Sequence, residues 1–296
     1  MWRCGDMKSN EKIDTKMFDA GDTAWCPGCG NFKILDAVKR AMVIAGKRPD
    51  EILIVSGIGQ APKLPHYMQC NMFDGLHGRV LPVATGAKIA NPELEVIGVS
   101  GDGDAYGEGG NHFIHALRRN IGITYIVHNN QVYGLTRGQT SPTSEEGFHT
   151  NTTPYGSFYE MFNGPEIAVT LKANFVARGF AGEVEHLADL IVRGMNKPGF
   201  ALIDILQPCV SFNKVNTFKW YHDRIYKLDE VAGYDPTDWV SAMRKASEWG
   251  DRIPIGVIYE NNRPAYETLP PPLKMGPLVK RELNPSMPAI LMEKFY

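Results

Sequence analysis

Two short stretches carry the residue types that could do metal and phosphate chemistry. SGDGDAYGEGG runs from Ser100 to Gly110, and HNNQVYG from His128 to Gly134. Each reads as the end of an apolar strand, which would put Asp102 and Asn130 at neighbouring strand ends of a parallel sheet. A carboxylate and an amide oxygen there can share a hard divalent cation, which takes oxygen ligands and keeps room for the phosphates of a ligand. Glycines 101, 103, 107, 109 and 110 would let backbone N–H groups close around a diphosphate, and the helix start behind them favours that anion. A lone GDG would say little, because glycine-aspartate turns occur in any α/β protein; the signal is the two halves together.

A second concentration of chemistry is WCPGCGN, from Trp25 to Asn31. Cys26 and Cys29 have the spacing that lets two thiolates hold one metal or cluster, with glycine N–H groups near the sulfurs. Read alone, the motif is half a zinc site, half a cluster site or a redox dithiol. A redox motif needs a thioredoxin-like strand and helix, whereas this one precedes any clear strand. Zinc ordinarily needs a second Cys or His pair, and the other thiols, Cys4, Cys70 and Cys209, are scattered.

The elements that must position these residues follow from hydrophobic patterning. Apolar runs at 52–55, 95–100, 123–127 and 200–206 are short and near-continuous, as in buried parallel strands. Segments 31–45, 111–119, 165–178 and 185–196 read as helices, the third because Ile167, Ala168, Leu171, Phe175 and Val176 fall largely on one side. The alternation predicts a doubly wound, mostly parallel α/β domain whose ligands bind beyond the C-terminal strand ends. A polar stretch, 133–164, lacks periodicity and is a candidate border of the site. Past residue 206 the pattern weakens to one helix (237–249), one strand (253–259) and a proline-rich end. The expected division is therefore a domain over 1–219 and a C-terminal extension over 220–296.

Composition narrows the class. The 296 residues carry a formal net charge of −2, so no basic field points to nucleic acid or an anionic membrane. No apolar run is long enough to span a bilayer, and the polar N-terminus lacks a signal core. Five cysteines, an odd number in a long chain, argue against a disulfide scaffold and for a cytoplasmic protein.

The GDG and NN pair resembles the thiamine diphosphate motif of thiamine-dependent enzymes. The ordered set WCPGCGN, SGIG, LHGRVLPVATG, GDGD with its following helix, and NNQVYGLT with SPTS resembles, more narrowly, the β subunit of the 2-oxoacid:ferredoxin oxidoreductases. The likeness runs from about Trp25 to Cys209. It implies Mg²⁺ on Asp102, Asn130 and the carbonyl of Val132. It also implies a thiamine diphosphate pocket drawing on Gly101, Gly103, Asp104, Thr85 and Gly86, with Leu135 just beyond the magnesium site on the substrate side. One [4Fe–4S] cluster would sit on Cys26, Cys29 and Cys209. The family's remaining cysteine directly follows SGIG, where this chain has Gln60; Cys70 is the expected substitute, the alternative being an inert buried thiol. Cys4 is expected to be a bystander.

The implied reaction is oxidative decarboxylation of a 2-oxoacid with coenzyme A and ferredoxin, giving acyl-CoA, CO₂ and reduced ferredoxin. Lys63 matches a position facing the 2-oxoacid side chain, where a cation would favour 2-oxoglutarate over pyruvate. His66 and His77 match positions near the thiamine rings and are candidates for proton transfer. The activating glutamate belongs in this family to the α subunit, which implies an obligate partner and an (αβ)₂ assembly. Two other readings compete: a non-redox thiamine half-chain with structural or zinc-bound cysteines, and an inactive scaffold subunit. The presence of both Asp102 and Asn130 argues against the second.

Overall fold

The computed structural model describes residues 12–282 and 285–293; Cys4 lies outside them. Eight strands build one sheet: β1 (Ile52–Ser56), β2 (Asn71–Asp74), β3 (Glu95–Gly101), β4 (Thr124–Asn129), β7 (Phe175–Phe180), β8 (Ala201–Leu206), β9 (Ile225–Lys227) and β10 (Ile253–Glu260). Their order across the sheet is β2-β1-β3-β4-β8-β7-β10-β9. All neighbours are parallel except β10 and β7. A separate two-stranded ribbon joins β5 (Val132–Tyr133) to β6 (Gln139–Thr140).

The two-residue period of the strands sorts their side chains onto two buried faces. Ile52, Ile54, Ile97, Val99, Ile126, Ile203 and Ile205 face one core, with α1 (Gly30–Ile44) and α5 (Val184–Asn196). Val55, Val96, Tyr125, Val127 and Leu202 face the other, with α2 (Val80–Ala90), α3 (Gly110–Arg119), α4 (Gly164–Thr170) and α7 (Trp239–Ser247). Both faces are covered, so the central strands are largely apolar apart from buried polar residues such as His128, Arg178 and Asp204, and each fully buried isoleucine contributes ~1.5–3 kcal/mol of transfer free energy. The doubly wound architecture expected from the alternation is the one found.

Two local expectations are corrected. The helix expected over 165–178 stops at Thr170, and Phe175 begins β7. Lys172 takes a left-handed φ of 55°, and the Asn174 amide donates to the carbonyls of Pro198 (2.6 Å) and Arg263 (2.7 Å). Pairing of Phe175–Phe180 between β8 and β10 buries every residue of the segment, which overrides the helical spacing. Thr85 and Gly86, expected at the diphosphate pocket, lie inside α2. Beyond residue 220, β10 pairs with β7 and carries β9, so this part of the chain widens the main sheet. The remaining helices are α6 (Phe218–His222) and α8 (Met287–Met292). Among the described residues no helix is long and apolar enough to cross a membrane.

Candidate active site and thiol cavity

The strand ends converge where open α/β sheets bind ligands, beyond the carboxyl edge. Asp102 directly follows β3, and Asn130 directly follows the adjacent β4. Between Asn130 and Val132, Gln131 adopts a left-handed φ of 61°, an uncommon conformation for a residue with a side chain. Its side-chain amide donates to the Thr143 carbonyl (3.0 Å), and its carbonyl accepts from the Ser144 hydroxyl (2.6 Å), which hold the kink. Asn130 and Val132 therefore both line one cavity of about 420 Å³, together with Gly101, Asp102, Gly103, Asp104, His77 and Leu135.

Asp102 is 1 % exposed, and burial pushes its carboxyl up to about 6. The hydroxyls of Ser141 (2.5 Å) and Thr143 (2.6 Å) donate to the same oxygen, Oδ2, and pull the value back. Among the described residues no Lys, Arg or His forms an ion pair with it. A buried carboxylate without a protein counter-charge, beside an amide oxygen and a cavity, is the donor set a divalent cation requires. Gly103 is fixed by space: a Cβ there would come within 2.3 Å of the Tyr133 ring.

Asp104 lines the same cavity but is consumed by the fold. Its Oδ1 accepts from the backbone of Gly78 (2.7 Å) and Ile58 (3.2 Å), and its other oxygen from the Ser100 hydroxyl. It thereby ties the SGIG turn after β1 and the turn bearing His77 to the end of β3. Gly57 cannot carry a side chain, since a Cβ would lie 2.0 Å from Asp104 Oδ2.

An adjoining hollow of about 430 Å³ shares Ile58, Gly59 and Leu135 with the first and adds Lys63 and His66. His66 Nε2 is 3.1 Å from Asp74 Oδ2, and Ser56 donates to Asp74 Oδ1 at 3.2 Å. Thr85 and Gly86 do not line either space. Thr85 borders a separate hollow between α2 and α3, with His112 and Arg119, because one turn of helix carries it away from the strand ends.

Cys26, Cys29 and Cys209 line a third, smaller cavity with Gln60, Asn130, Gly134 and Gln207. Cys209 follows β8 in the Gln207-Pro208-Cys209 turn, and Cys29 is the residue before α1. Gly30 N–H donates to the Pro208 carbonyl (3.2 Å), and Trp25 Nε1–H to the Gln60 carbonyl (2.7 Å), which bring three distant segments together. The Asn31 amide oxygen lies 2.8 Å from His128 Nδ1, fixing α1 to the end of β4. Burial pushes the Cys29 thiol up to about 11, and the nearby Cys209 and Cys26 add to the rise. Gln207 Nε2–H points at Cys29 Sγ, 3.5 Å away.

Cys70 is not part of this cavity. It precedes β2 and packs against the core, its thiol 4.0 Å from the Met68 carbonyl, and burial alone pushes it up to about 12. The chain from Ala61 to Tyr67 folds as a tight 3₁₀ segment that closes on β2 instead of looping back. Among the described residues no three His, Cys, Asp or Glu converge closely enough for a single metal ion. The three thiols border one common space.

Sequence reasoning missed Ser141, Thr143 and Gln131, although SPTS carried part of the resemblance. It also missed Glu108, which lines the main cavity. None of these has a spacing that announces a role; Ser141 and Thr143 are recruited by the return of the loop after β6, Gln131 by the kink between β4 and β5, and Glu108 by the helical turn after β3.

The comparisons with known proteins agree with this geometry. Residues 57–205 match the family model "Thiamine pyrophosphate enzyme, C-terminal TPP binding domain". Residues 209–275 match the model for the C-terminal part of the pyruvate ferredoxin oxidoreductase beta subunit. The first defines the class, a thiamine diphosphate-binding fold. A 2-oxoacid:ferredoxin oxidoreductase subunit beta from Saccharolobus solfataricus is 46 % identical over 248 residues, 80 % of this chain and 81 % of that one. A 2-oxoglutarate synthase subunit KorB from Methanothermobacter marburgensis is 42 % identical over 207 residues, 70 % of this chain and 73 % of its own. A structure of 2-oxoglutarate:ferredoxin oxidoreductase from Magnetococcus marinus, with 2-oxoglutarate, coenzyme A and succinyl-CoA bound, superimposes with a TM-score of 0.87 at 35 % identity and covers 96 % of both chains. The chain belongs to the β subunits of the 2-oxoacid:ferredoxin oxidoreductases.

Proposed function

We propose that this β subunit, joined to an α subunit in an (αβ)₂ assembly in the cytoplasm, oxidatively decarboxylates 2-oxoglutarate in preference to pyruvate. Coenzyme A takes the acyl group, and ferredoxin takes the electrons through an iron–sulfur cluster. The observation that carries the proposal is that the carboxylate cavity and the thiol cavity share Gln60, Asn130 and Gly134. Chemistry at one and electron acceptance at the other are separated by a single layer of side chains.

Asp102, Asn130 and the Val132 carbonyl would hold Mg²⁺, with the glycine-rich turn at 101–103 against the diphosphate. When bound, thiamine diphosphate supplies the electron sink for decarboxylation. His77, on the cavity wall, moves a proton at the substrate, and Lys63 in the adjoining hollow receives the distal carboxylate. Asp102 and Asp104 are both committed to local bonds, and the family resemblance assigns the activating carboxylate to the α subunit. The names of the relatives and the ligands of the Magnetococcus structure support 2-oxoglutarate as first choice.

The test is anaerobic co-purification with the α subunit, followed by iron, sulfide and thiamine per chain and CoA-dependent ferredoxin reduction. Lys63→Ala should lower kcat/KM for 2-oxoglutarate by ~10–100-fold while leaving pyruvate nearly unchanged, the scale of one charge-assisted hydrogen bond. Thiamine without iron, and turnover without ferredoxin, would instead establish the non-redox thiamine reading.

A further inference from the structure

Building on the cluster reading above, we infer that the cluster is held by only three thiolates, from Cys26, Cys29 and Cys209, and that its fourth iron faces the side-chain amide oxygen of Gln60. Four observations meet here. Gln60 lines the thiol cavity, and Cys70, the remaining thiol of the described residues, does not. The Gln60 backbone is bonded to the indole of Trp25, next to Cys26, so residue 60 is held at the mouth of the C-x-x-C loop. Its Oε1 is buried with no hydrogen-bond partner, a costly state for an amide oxygen unless something else accepts its lone pairs. Cys70 Sγ instead faces the Met68 carbonyl, 4.0 Å away.

An amide oxygen is a harder and weaker iron ligand than a thiolate, and it is neutral. The iron it faces is therefore the one to leave, and the cluster carries one negative charge fewer than a four-thiolate cluster. Gln60 also borders the main cavity, so this iron is the one on the thiamine side. Ferricyanide takes one electron from [4Fe–4S]²⁺, which releases one Fe²⁺ and leaves [3Fe–4S]⁺, a species with its own EPR signal.

The experiment uses the anaerobic αβ complex, with ferricyanide as oxidant and iron release and EPR as readouts. Wild type should yield the three-iron signal, Gln60→Ala should yield it several-fold faster, and Gln60→Cys should suppress it. Cys70→Ser should leave iron, sulfide and the rate of iron release unchanged. Equal rates in all three residue-60 forms would overturn the inference, as would loss of iron in Cys70→Ser. A wild-type complex with no iron would remove the cluster reading itself, and this inference with it.

Discussion

The carboxylate end and the thiol end of this site are built from neighbouring strands, yet they are finished differently. Around Asp102 the chain supplies the partners: Ser141 and Thr143 cap one oxygen, and Ser144 locks the Gln131 kink. Around the thiols the chain leaves polar atoms open, with Gln60 Oε1 and Gln207 Oε1 both buried and unpartnered. The first has its carboxylate already held by bonds within the chain, as a preorganised receptor does. The second is a space whose bonding is completed by what fills it. Preorganisation stabilises binding by removing the ordering cost, whereas an open polar cavity couples folding of its walls to loading.

The largest effect that tests this contrast is Asp102→Asn, which keeps shape and removes the charge that pairs with the cation. Thiamine-dependent turnover should fall by at least ~10³-fold, about 4 kcal/mol, with iron content unchanged. Loss of iron along with thiamine would show that the two ends load together. Cys209→Ser should do the converse, with thiamine binding by calorimetry retained and ferredoxin reduction abolished. A smaller effect is expected at Thr143→Val, which keeps the packing but deletes a hydroxyl on Asp102. Magnesium affinity should weaken by ~10–100-fold, the usual scale for a partner of a metal ligand. No change there would mean that Ser141 alone orients the carboxylate. If the thiol cavity is completed by its occupant, anaerobic chelation of iron should make the Cys26–Cys29 loop more sensitive to proteolysis, while chelation of magnesium should leave Ser141–Ser144 protected.

What was legible in the sequence had local causes. Asp102 and Asn130 end strands whose apolar runs dictate burial, so their placement follows from period and punctuation alone. Cys26 and Cys29 share one turn and were readable together. The helix expected over 165–178 failed because Phe175–Phe180 gains more from pairing with two strands than from helical spacing, and no local signal reports partners from residues 201–206 and 253–260. Thr85 and Gly86 lie within α2, and Thr85 borders a hollow between α2 and α3, a placement that residue type does not encode.

The sequence by itself determined the class of fold, the placement of Asp102 and Asn130 at adjacent strand ends and the pairing of Cys26 with Cys29 in one loop, because these rest on residue type, strand period and short spacing. Only the tertiary structure decided which thiols share a space and that Gln60 joins them. It also decided that a loop some forty residues along the chain returns two hydroxyls to Asp102. Those contacts depend on how the 3₁₀ segment after Gln60 closes on β2 and how β8 delivers Cys209 beside α1, and packing between distant segments sets both.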